Sequence, residues 1–306
     1  MKAKIQTKPV LNLIDGFPTV LFGPKERVPK GAFHRVRKRL SKGDDKTKLI
    51  KSIGHGFQTV GFSGSPSTES GIGDACPWSS PGCETACLDH QGLASVFATI
   101  RLARMAKTVV FRLAKRWFLE TLKKEIAIAE RKAELLGDRL AVRLNVFSDF
   151  LWERLGIIEL FPNCEFYDYS KSVDRAGLLL PNYWVTFSRS ETNQDDCLRV
   201  LESGKNVAVV WDTGRTGNQV SKQASADDLP KTWTGFPVIA GDTTDLRFDD
   251  PRGSSRGRVV GLRLKAAGRD ARLGALDTGV PVINIRSHGR PTLCVTGESE
   301  MPGKNN

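Results

Sequence analysis

Residues 140–149 read LAVRLNVFSD, and this stretch combines the two features that decide the fold. Apolar residues dominate positions 140–147, which predicts a buried β-strand, and the polar residues Ser148 and Asp149 follow directly. The same arrangement recurs from residue 138 onward, where short apolar strands alternate with helical or loop segments. This alternation is typical of parallel βα units.

The pattern predicts seven or eight such strands. They cover residues 56–63, 140–147, 164–169, 183–187, 207–211, 237–240, 259–264 and 282–286. Between the first two, residues 92–137 carry apolar side chains at three- and four-residue spacings, which predicts one bent helix or two consecutive helices. The fold class is therefore α/β, and we expect a complete or partial (β/α) TIM-like barrel. An open doubly wound sheet is the competing fold.

Composition restricts the class of protein. The chain has 306 residues, 40% hydrophobic and 26% charged, with a mean hydropathy of −0.28. No run of 18 apolar residues is present, which argues against a membrane protein, and the N-terminal stretch lacks the apolar core of a secretory signal. We therefore expect a cytoplasmic protein with no membrane partner.

Positive charge is concentrated near the N-terminus. The whole chain carries a formal charge of +12, and residues 25–51 alone hold eleven basic and three acidic residues, a net charge of +8. Such a segment is either a nucleic-acid contact arm or a solvated extension, and the sequence leaves both open. Because residues 1–50 show little periodicity, we expect an irregular lead-in. The predicted division is a basic extension over 1–55, a barrel over 56–290 and a tail over 291–306.

Polar and ionisable residues follow the predicted strands, at the end of a barrel where enzymes of this architecture carry out their chemistry. We take eight of these residues as candidates for cofactor binding. They are Asn145, Ser148, Asp149, Tyr169, Lys171, Ser188, Arg189 and Asp212.

Three of the six cysteines lie close together in GDACPWSSPGCETAC, residues 73–87, with the spacing C-x6-C-x3-C. In a reducing compartment clustered thiols indicate metal ligands more than disulfides. Cys76, Cys83 and Cys87 could hold three irons of a [4Fe-4S] cluster, leaving the fourth iron open. His90 could instead complete a Cys3His zinc site, because a structural zinc normally has four ligands.

A cysteine-rich loop after the first strand of a βα barrel resembles the radical S-adenosylmethionine (SAM) superfamily, whose usual motif is C-x3-C-x2-C. The longer spacing here is similar to that of uncharacterised phage and plasmid proteins with a three-cysteine loop on a radical-SAM-like barrel. Three further motifs carry the resemblance, which spans residues 56 to about 265. They are Ser148–Asp149–Phe150, the aromatic strand FYDYSK at 166–171, and Thr186–Phe187–Ser188.

The resemblance implies that Cys76, Cys83 and Cys87 ligate a [4Fe-4S] cluster whose open iron binds SAM. The other roles follow from position: Asn145, Ser148 and Asp149 lie at the end of the second strand, where they could hold the methionine or ribose portion. Lys171 and Arg189 would pair with a carboxylate or phosphate, and Asp212 would accept a hydrogen bond from a ribose hydroxyl. An external electron donor would reduce the cluster, which would cleave SAM to a 5′-deoxyadenosyl radical.

Two functions follow as expectations. The first is an iron–sulfur, SAM-dependent radical enzyme, encoded by a phage or plasmid and acting on nucleic acid or a nucleotide. The second is a replication-associated nucleic-acid-binding protein in which the cysteines hold a structural metal and the segment 25–51 binds the polyanion.

Overall fold

The structure is a computed structural model that describes residues 8–22, 33–42, 55–85, 87, 97–212, 228–251, 255–264, 282–285 and 291–292. The predicted strands form most of an eleven-stranded sheet. Its elements from β5 to β9, with the helices between them, are β5 (Phe57–Phe62), α1 (Pro81–Thr85), α2 (Ala98–Leu113), α3 (Lys115–Leu135), β6 (Arg139–Arg143), β7 (Glu165–Ser170), α4 (Val173–Ala176), β8 (Tyr183–Ser188), α5 (Gln194–Glu202) and β9 (Val207–Asp212). The predicted helical stretch is two helices, which meet at Ala114.

Strands β5 to β9 are parallel neighbours in chain order, as expected of βα units. The order then changes, because the last strands do not continue in sequence. These strands are β10 (Thr232–Trp233), β11 (Phe236–Ala240), β12 (Val259–Arg263), β13 (Val282–Ile285) and β14 (Pro291–Thr292). Strand β12 lies between β9 and β11, and β13 pairs in parallel with the end of β9.

The sheet does not close into a barrel among the described strands, so the closed form of the TIM-like prediction is wrong. The outer edge of β5, where a last barrel strand would pair, is occupied by the antiparallel β4 (Leu40–Lys42). At the other end β10 and β11 form an antiparallel pair. The coarser α/β prediction is confirmed: this is a large, mostly parallel sheet with helices.

The described helices α2, α3 and α5 cover one face of the sheet. Side chains alternate along β8, so Tyr183 and Phe187 share a face, while Trp184 lies on the other. Tyr183 packs into the core with α2 and α3, and Phe187 packs into the core with α5. This one-sided arrangement differs from a doubly wound sheet, which carries helices on both faces.

The opposite face is filled by the segment that follows β11, residues 241–250. Phe248 contacts the rings of Phe57 and Tyr167, with centroids 4.9 and 5.9 Å apart. Leu246 is fully buried beside them. A loop therefore supplies the packing that a continuous ring of strands supplies in a closed barrel.

The N-terminal region is ordered where the structure describes it, which corrects the prediction of an irregular lead-in. Strands β1 (Val10–Ile14), β2 (Phe17–Leu21) and β3 (Phe33–Arg35) form a three-stranded antiparallel sheet. A two-residue turn joins the first pair, with positive φ at Asp15 and Gly16 (49° and 75°), as a type I′ hairpin requires. Of the basic segment 25–51, only 33–42 lies within the described residues.

In the part of the chain that the structure describes, no helix has the length and apolar character needed to cross a bilayer.

Candidate functional site

The cysteine loop lies against the carboxyl-terminal ends of the parallel strands. Ala75 accepts a hydrogen bond from the backbone N–H of Asp149 at 2.7 Å, just beyond β6. The Cys76 thiol donates to the Phe147 carbonyl, with Sγ and O 3.6 Å apart. Because both contacts join the loop to the residues after β6, the first cysteine is placed at the strand ends, as predicted.

A carboxylate after β8 holds the second part of the loop. Glu191 accepts hydrogen bonds from the Ser80 hydroxyl at 2.6 Å and from the Gly82 backbone N–H at 2.8 Å. Ser80 also accepts from the N–H of Cys83 at 3.2 Å. Burial acts to raise the pKa of Glu191, but these hydrogen bonds and the charge of Lys171 lower it overall. Glu191 is therefore ionised at neutral pH and anchors the start of α1.

The other two cysteines of the loop act electrostatically on the Cys76 thiol. Burial raises the pKa of Cys76 to about 12, and the charges of Cys87, Asp149 and Cys83 add to that increase. All three cysteines are half-buried, and no disulfide joins them. Within the described residues no three or more His, Cys, Asp or Glu side chains form a ready-made metal site. His90 lies outside those residues, so the zinc alternative stays a prediction.

A buried arginine of α2 lies beside this loop. The guanidinium carbon of Arg104 is 3.8 Å from the centroid of the Phe147 ring, and only 8% of the residue is exposed. Burial lowers the pKa of Arg104 to about 10, and the charge of Cys87 opposes that decrease. Arg104 thus remains a cation at neutral pH, and it lies against the ring of Phe147, whose carbonyl accepts the hydrogen bond of the Cys76 thiol.

Asn145 is engaged entirely within the protein. Its amide nitrogen donates to the Phe150 carbonyl and to Asp168, at 3.0 and 3.1 Å. Its carbonyl oxygen accepts from Ser148, from the N–H of Phe150 and from the Trp152 indole, at 2.9–3.1 Å. These bonds use both amide hydrogens and the oxygen, so Asn145 and Ser148 shape the strand end and present no spare amide group to a cofactor.

Asp149 belongs to a buried ionic network. Its carboxylate pairs with Arg175 and accepts from Ser170 at 2.8 Å. Arg175 is 2% exposed and also pairs with Glu153 at 2.9 Å. Burial raises the pKa of Asp149, although Arg175 and Ser170 act against that increase. The network fixes the backbone of Asp149, whose N–H holds the cysteine loop.

Lys171 and Arg189 lie near the anchor of the loop. The charge of Lys171 acts on both Asp149 and Glu191, and the charge of Glu191 acts on Arg189. Arg189 donates to Gln194 at 3.3 Å and is half-buried. Two predicted cations are therefore brought to the same strand ends as the cysteines.

The remaining candidates lie on the face of the sheet turned away from the helices. Tyr169 has the Arg143 guanidinium 4.8 Å from its ring centroid, and burial raises its pKa well above the ordinary value. Ser188 is half-buried and Asp212 is fully buried. Because side chains alternate along a strand, these three lie on the same face of the sheet, the one turned away from the helices.

The chain matches the model of a known protein family over most of its length. A model of the family described as gene product 88 matches residues 33–277, about four fifths of the chain. The chain belongs to the gene product 88 family. This phage-type family agrees with the phage part of the resemblance, whereas no radical SAM family model matches. No curated protein and no solved structure gives a significant match.

The part that matches the gene product 88 family contains the cysteine loop, the strands from β3 to β12 and every candidate residue. Strands β1 and β2 precede it, and β13 and β14 follow it. The family model therefore covers the site as a unit.

Several residues of the site were not predicted from the sequence. Glu153, Arg175 and Arg104 come from loops or helices rather than from strand ends, and each reaches the site through a long-range contact. Arg175 alone carries a local signal, because it lies in the first turn of a helix whose N-cap is Ser172. No local pattern indicates Arg104, whose spacing on α2 is that of the helix face buried in the core.

Proposed function

We propose that this member of the gene product 88 family is an iron–sulfur, SAM-dependent radical enzyme acting on nucleic acid or a nucleotide. The observation that carries the proposal is the three-cysteine loop, which is held by hydrogen bonds to the strand ends at Phe147, Asp149 and Glu191. Enzymes built on parallel βα units place their chemistry at this end of the sheet.

The proposal is supported by the chemical type of the three donors, which are thiols. Three thiols supply three iron ligands, and a cluster held by three cysteines keeps one iron for a small molecule. In the described residues the thiols do not form a metal-holding group, so the proposal requires the loop to draw them together around the metal. When bound and reduced, such a cluster supplies an electron to SAM. Cysteines that form no disulfide suit a reducing, cytoplasmic setting with an external electron donor.

The chain's own residues would then bind and orient the SAM molecule. Lys171 and Arg189 offer cations at the strand ends, where a carboxylate or phosphate would pair with them. Asp149 keeps the loop in place through its backbone N–H, and its carboxylate is committed to Arg175 and Ser170. Tyr169, Ser188 and Asp212 offer polar groups on the face of the sheet turned away from the helices.

The second candidate is a nucleic-acid-binding protein with a structural metal, such as zinc. The observation that favours it is the surface of the N-terminal sheet. Phe17 is 38% exposed and lies beneath the Arg37 guanidinium, 6.0 Å from the ring centroid. Arg37 and Lys38 are both exposed, and the sequence around them carries the net charge of +8. An exposed aromatic ring beside basic residues is the composition of a single-strand-binding surface.

Anaerobic purification, followed by absorption spectroscopy and metal analysis, separates the two. The enzyme proposal expects broad absorbance in the blue and about four irons per chain. A variant with Cys76, Cys83 and Cys87 replaced by alanine should lose both. The matched control replaces the two buried cysteines outside the loop, Cys164 and Cys197, and should keep both.

Each alternative result has a meaning. One zinc per chain that is lost in the triple variant would favour the structural-metal candidate. Salt-dependent DNA binding that survives in the triple variant would support that candidate further. Absence of any metal from the anaerobically reconstituted wild-type protein would overturn the enzyme proposal.

A further inference from the structure

Four leucines are strongly exposed at the end of the sheet opposite the cysteine loop. Leu135 and Leu136 lie at the C-terminal end of α3, shortly before β6, and are 72% and 58% exposed. Leu160 precedes β7 and is 54% exposed, and Leu179 precedes β8 and is 89% exposed. Since β6, β7 and β8 are parallel neighbours, the segments that precede them lie at the same end of the sheet.

Contacts between these segments join them into one surface. The side-chain amide of Asn182 donates to the backbone carbonyls of Phe161 and Cys164, at 2.9 and 3.1 Å, which ties the segment before β8 to the one before β7. Pro162 then lines a cleft together with Glu134 of α3. A group of exposed apolar side chains, unlike a single one, marks a binding surface. We call this cleft and the four leucines around it the distal surface: Leu135, Leu136, Leu160 and Leu179.

The cleft of the distal surface is acidic, although the whole chain is basic. Its volume is about 170 Å³, and its ionisable lining consists of three carboxylates, Glu130, Glu134 and Asp138, and one cation, Arg139. Three negative charges and one positive charge give the lining a net charge of −2, whereas the chain carries +12. Arg139 is already paired with Glu165, at 2.6 Å. A cleft of this size holds several water molecules and has room for the end of a lysine or arginine side chain.

We infer that the distal surface docks a protein segment that presents aliphatic side chains flanked by lysine or arginine. The leucines would cover the aliphatic side chains, and the cleft would hold a cationic one. The acidic lining would repel the phosphates of a nucleic acid, and two copies of the surface would repel each other because they carry the same charge.

A partner docked at the distal surface would leave the cysteine loop uncovered, because the two lie at opposite ends of the strands. The inference goes beyond the proposed function and does not depend on it.

The experiment titrates the full-length protein into a labelled synthetic helical peptide that has leucines on one face and lysines on the other, with fluorescence anisotropy as the readout. A second peptide has glutamates in place of the lysines. The wild type should bind the lysine peptide despite its own charge of +12, and less tightly as salt increases. Leu179→Ser should weaken this binding about tenfold, because the complex buries that leucine. Glu134→Gln should weaken it about threefold, as expected of a charge pair near the surface.

Two matched controls test the location. Leu113→Ser replaces a leucine of α2 that is 52% exposed and is separated from the distal surface by the length of α3, about 30 Å. Glu120→Gln replaces another glutamate of α3 with an ion pair three residues away, to Lys123, as Glu134 has to Arg131. Both controls should bind the lysine peptide like the wild type. Circular dichroism is measured on every variant.

Three results would overturn the inference. The first is a wild type that does not bind the lysine peptide, or that binds it no more tightly than Leu179→Ser does. The second is binding of the glutamate peptide that Leu179→Ser abolishes. The third is a wild-type dimer in sedimentation that becomes a monomer in Leu179→Ser, which would assign the surface to a second copy of the chain. None of these measurements involves a metal, so their outcome leaves the proposed function untouched.

Discussion

Replacing Asn145 with alanine should cost the protein much of its stability. The change removes the acceptor of two buried donors, the indole N–H of Trp152 and the backbone N–H of Phe150, at 3.0 and 2.9 Å. Trp152 is fully buried, and Phe150 is 6% exposed. Leaving a buried donor without a partner costs about 1–3 kcal/mol, so two of them predict a loss of about 4 kcal/mol in the free energy of unfolding.

The assay is urea unfolding followed by tryptophan fluorescence. Ser148→Ala is the matched control, because it removes only one of the donors to the Asn145 oxygen and leaves the other two bonds in place. That control should lose about 1 kcal/mol. A loss in Asn145→Ala no larger than in the control would refute the reasoning. The same variant with intact stability and a weakened affinity for SAM would restore the cofactor role predicted from the sequence.

Three further predictions concern other parts of the molecule. Burial raises the pKa of Asp168 to about 6, and Arg175, Arg143, Asn145 and Tyr183 act against that increase. The Asp168 carboxyl therefore holds its proton more tightly in the folded protein than in the unfolded chain. Stability should therefore increase by about 1.4 kcal/mol from this group as pH falls from 8 to 5, and Asp168→Asn should remove that increment in unfolding curves at the two pH values. Glu191→Ala removes the bonds to Ser80 and Gly82. In protein loaded with the metal proposed above, this variant should speed metal loss to a chelator several-fold, whereas Glu202→Ala, at an exposed position of α5, should not; equal rates would contradict the anchoring role. Gly257→Ala would place a methyl group 1.8 Å from the Lys205 carbonyl oxygen, so its melting temperature should drop by several degrees, while Ser255→Ala, at an exposed position, should melt like the wild type.

The strands of the main sheet could be predicted from the sequence because their apolar stretches are short and separated by turns. The order of the strands could not. The residue pattern of β11 and β12 does not indicate which of them pairs with β9, because both strands are apolar and both fit a parallel neighbour. Topology depends on the loops between them, where the segment 241–250 packs back onto the sheet.

The N-terminal hairpin has a local signal in the sequence. Asp15–Gly16 between two apolar stretches is a strong hairpin pattern, because both positions take positive φ in a type I′ turn. The basic character of the region and its prolines obscured it. Tertiary pairing of β4 with β5 had no local signal at all.

The candidate site divides in the same way. The cysteines could be identified because thiols at close spacing are rare and chemically specific. Asn145 and Asp149 could be located at a strand end, yet their bonds to Trp152 and Arg175 could not, because those partners come from elsewhere in the chain. Residue type and position predict where a side chain lies; its partners decide whether it is available for chemistry.

The exchanged order of β11 and β12 has a consequence for synthesis on the ribosome. Strand β11 pairs only with β10 and β12 among the described strands, and β12 is what connects it to β9. The strands β5 to β9 can pair one after another as the nascent chain emerges. Strand β11 cannot join the main sheet until β12 has left the exit tunnel. The edge of the growing sheet at β9 therefore stays unpaired while about fifty residues are translated.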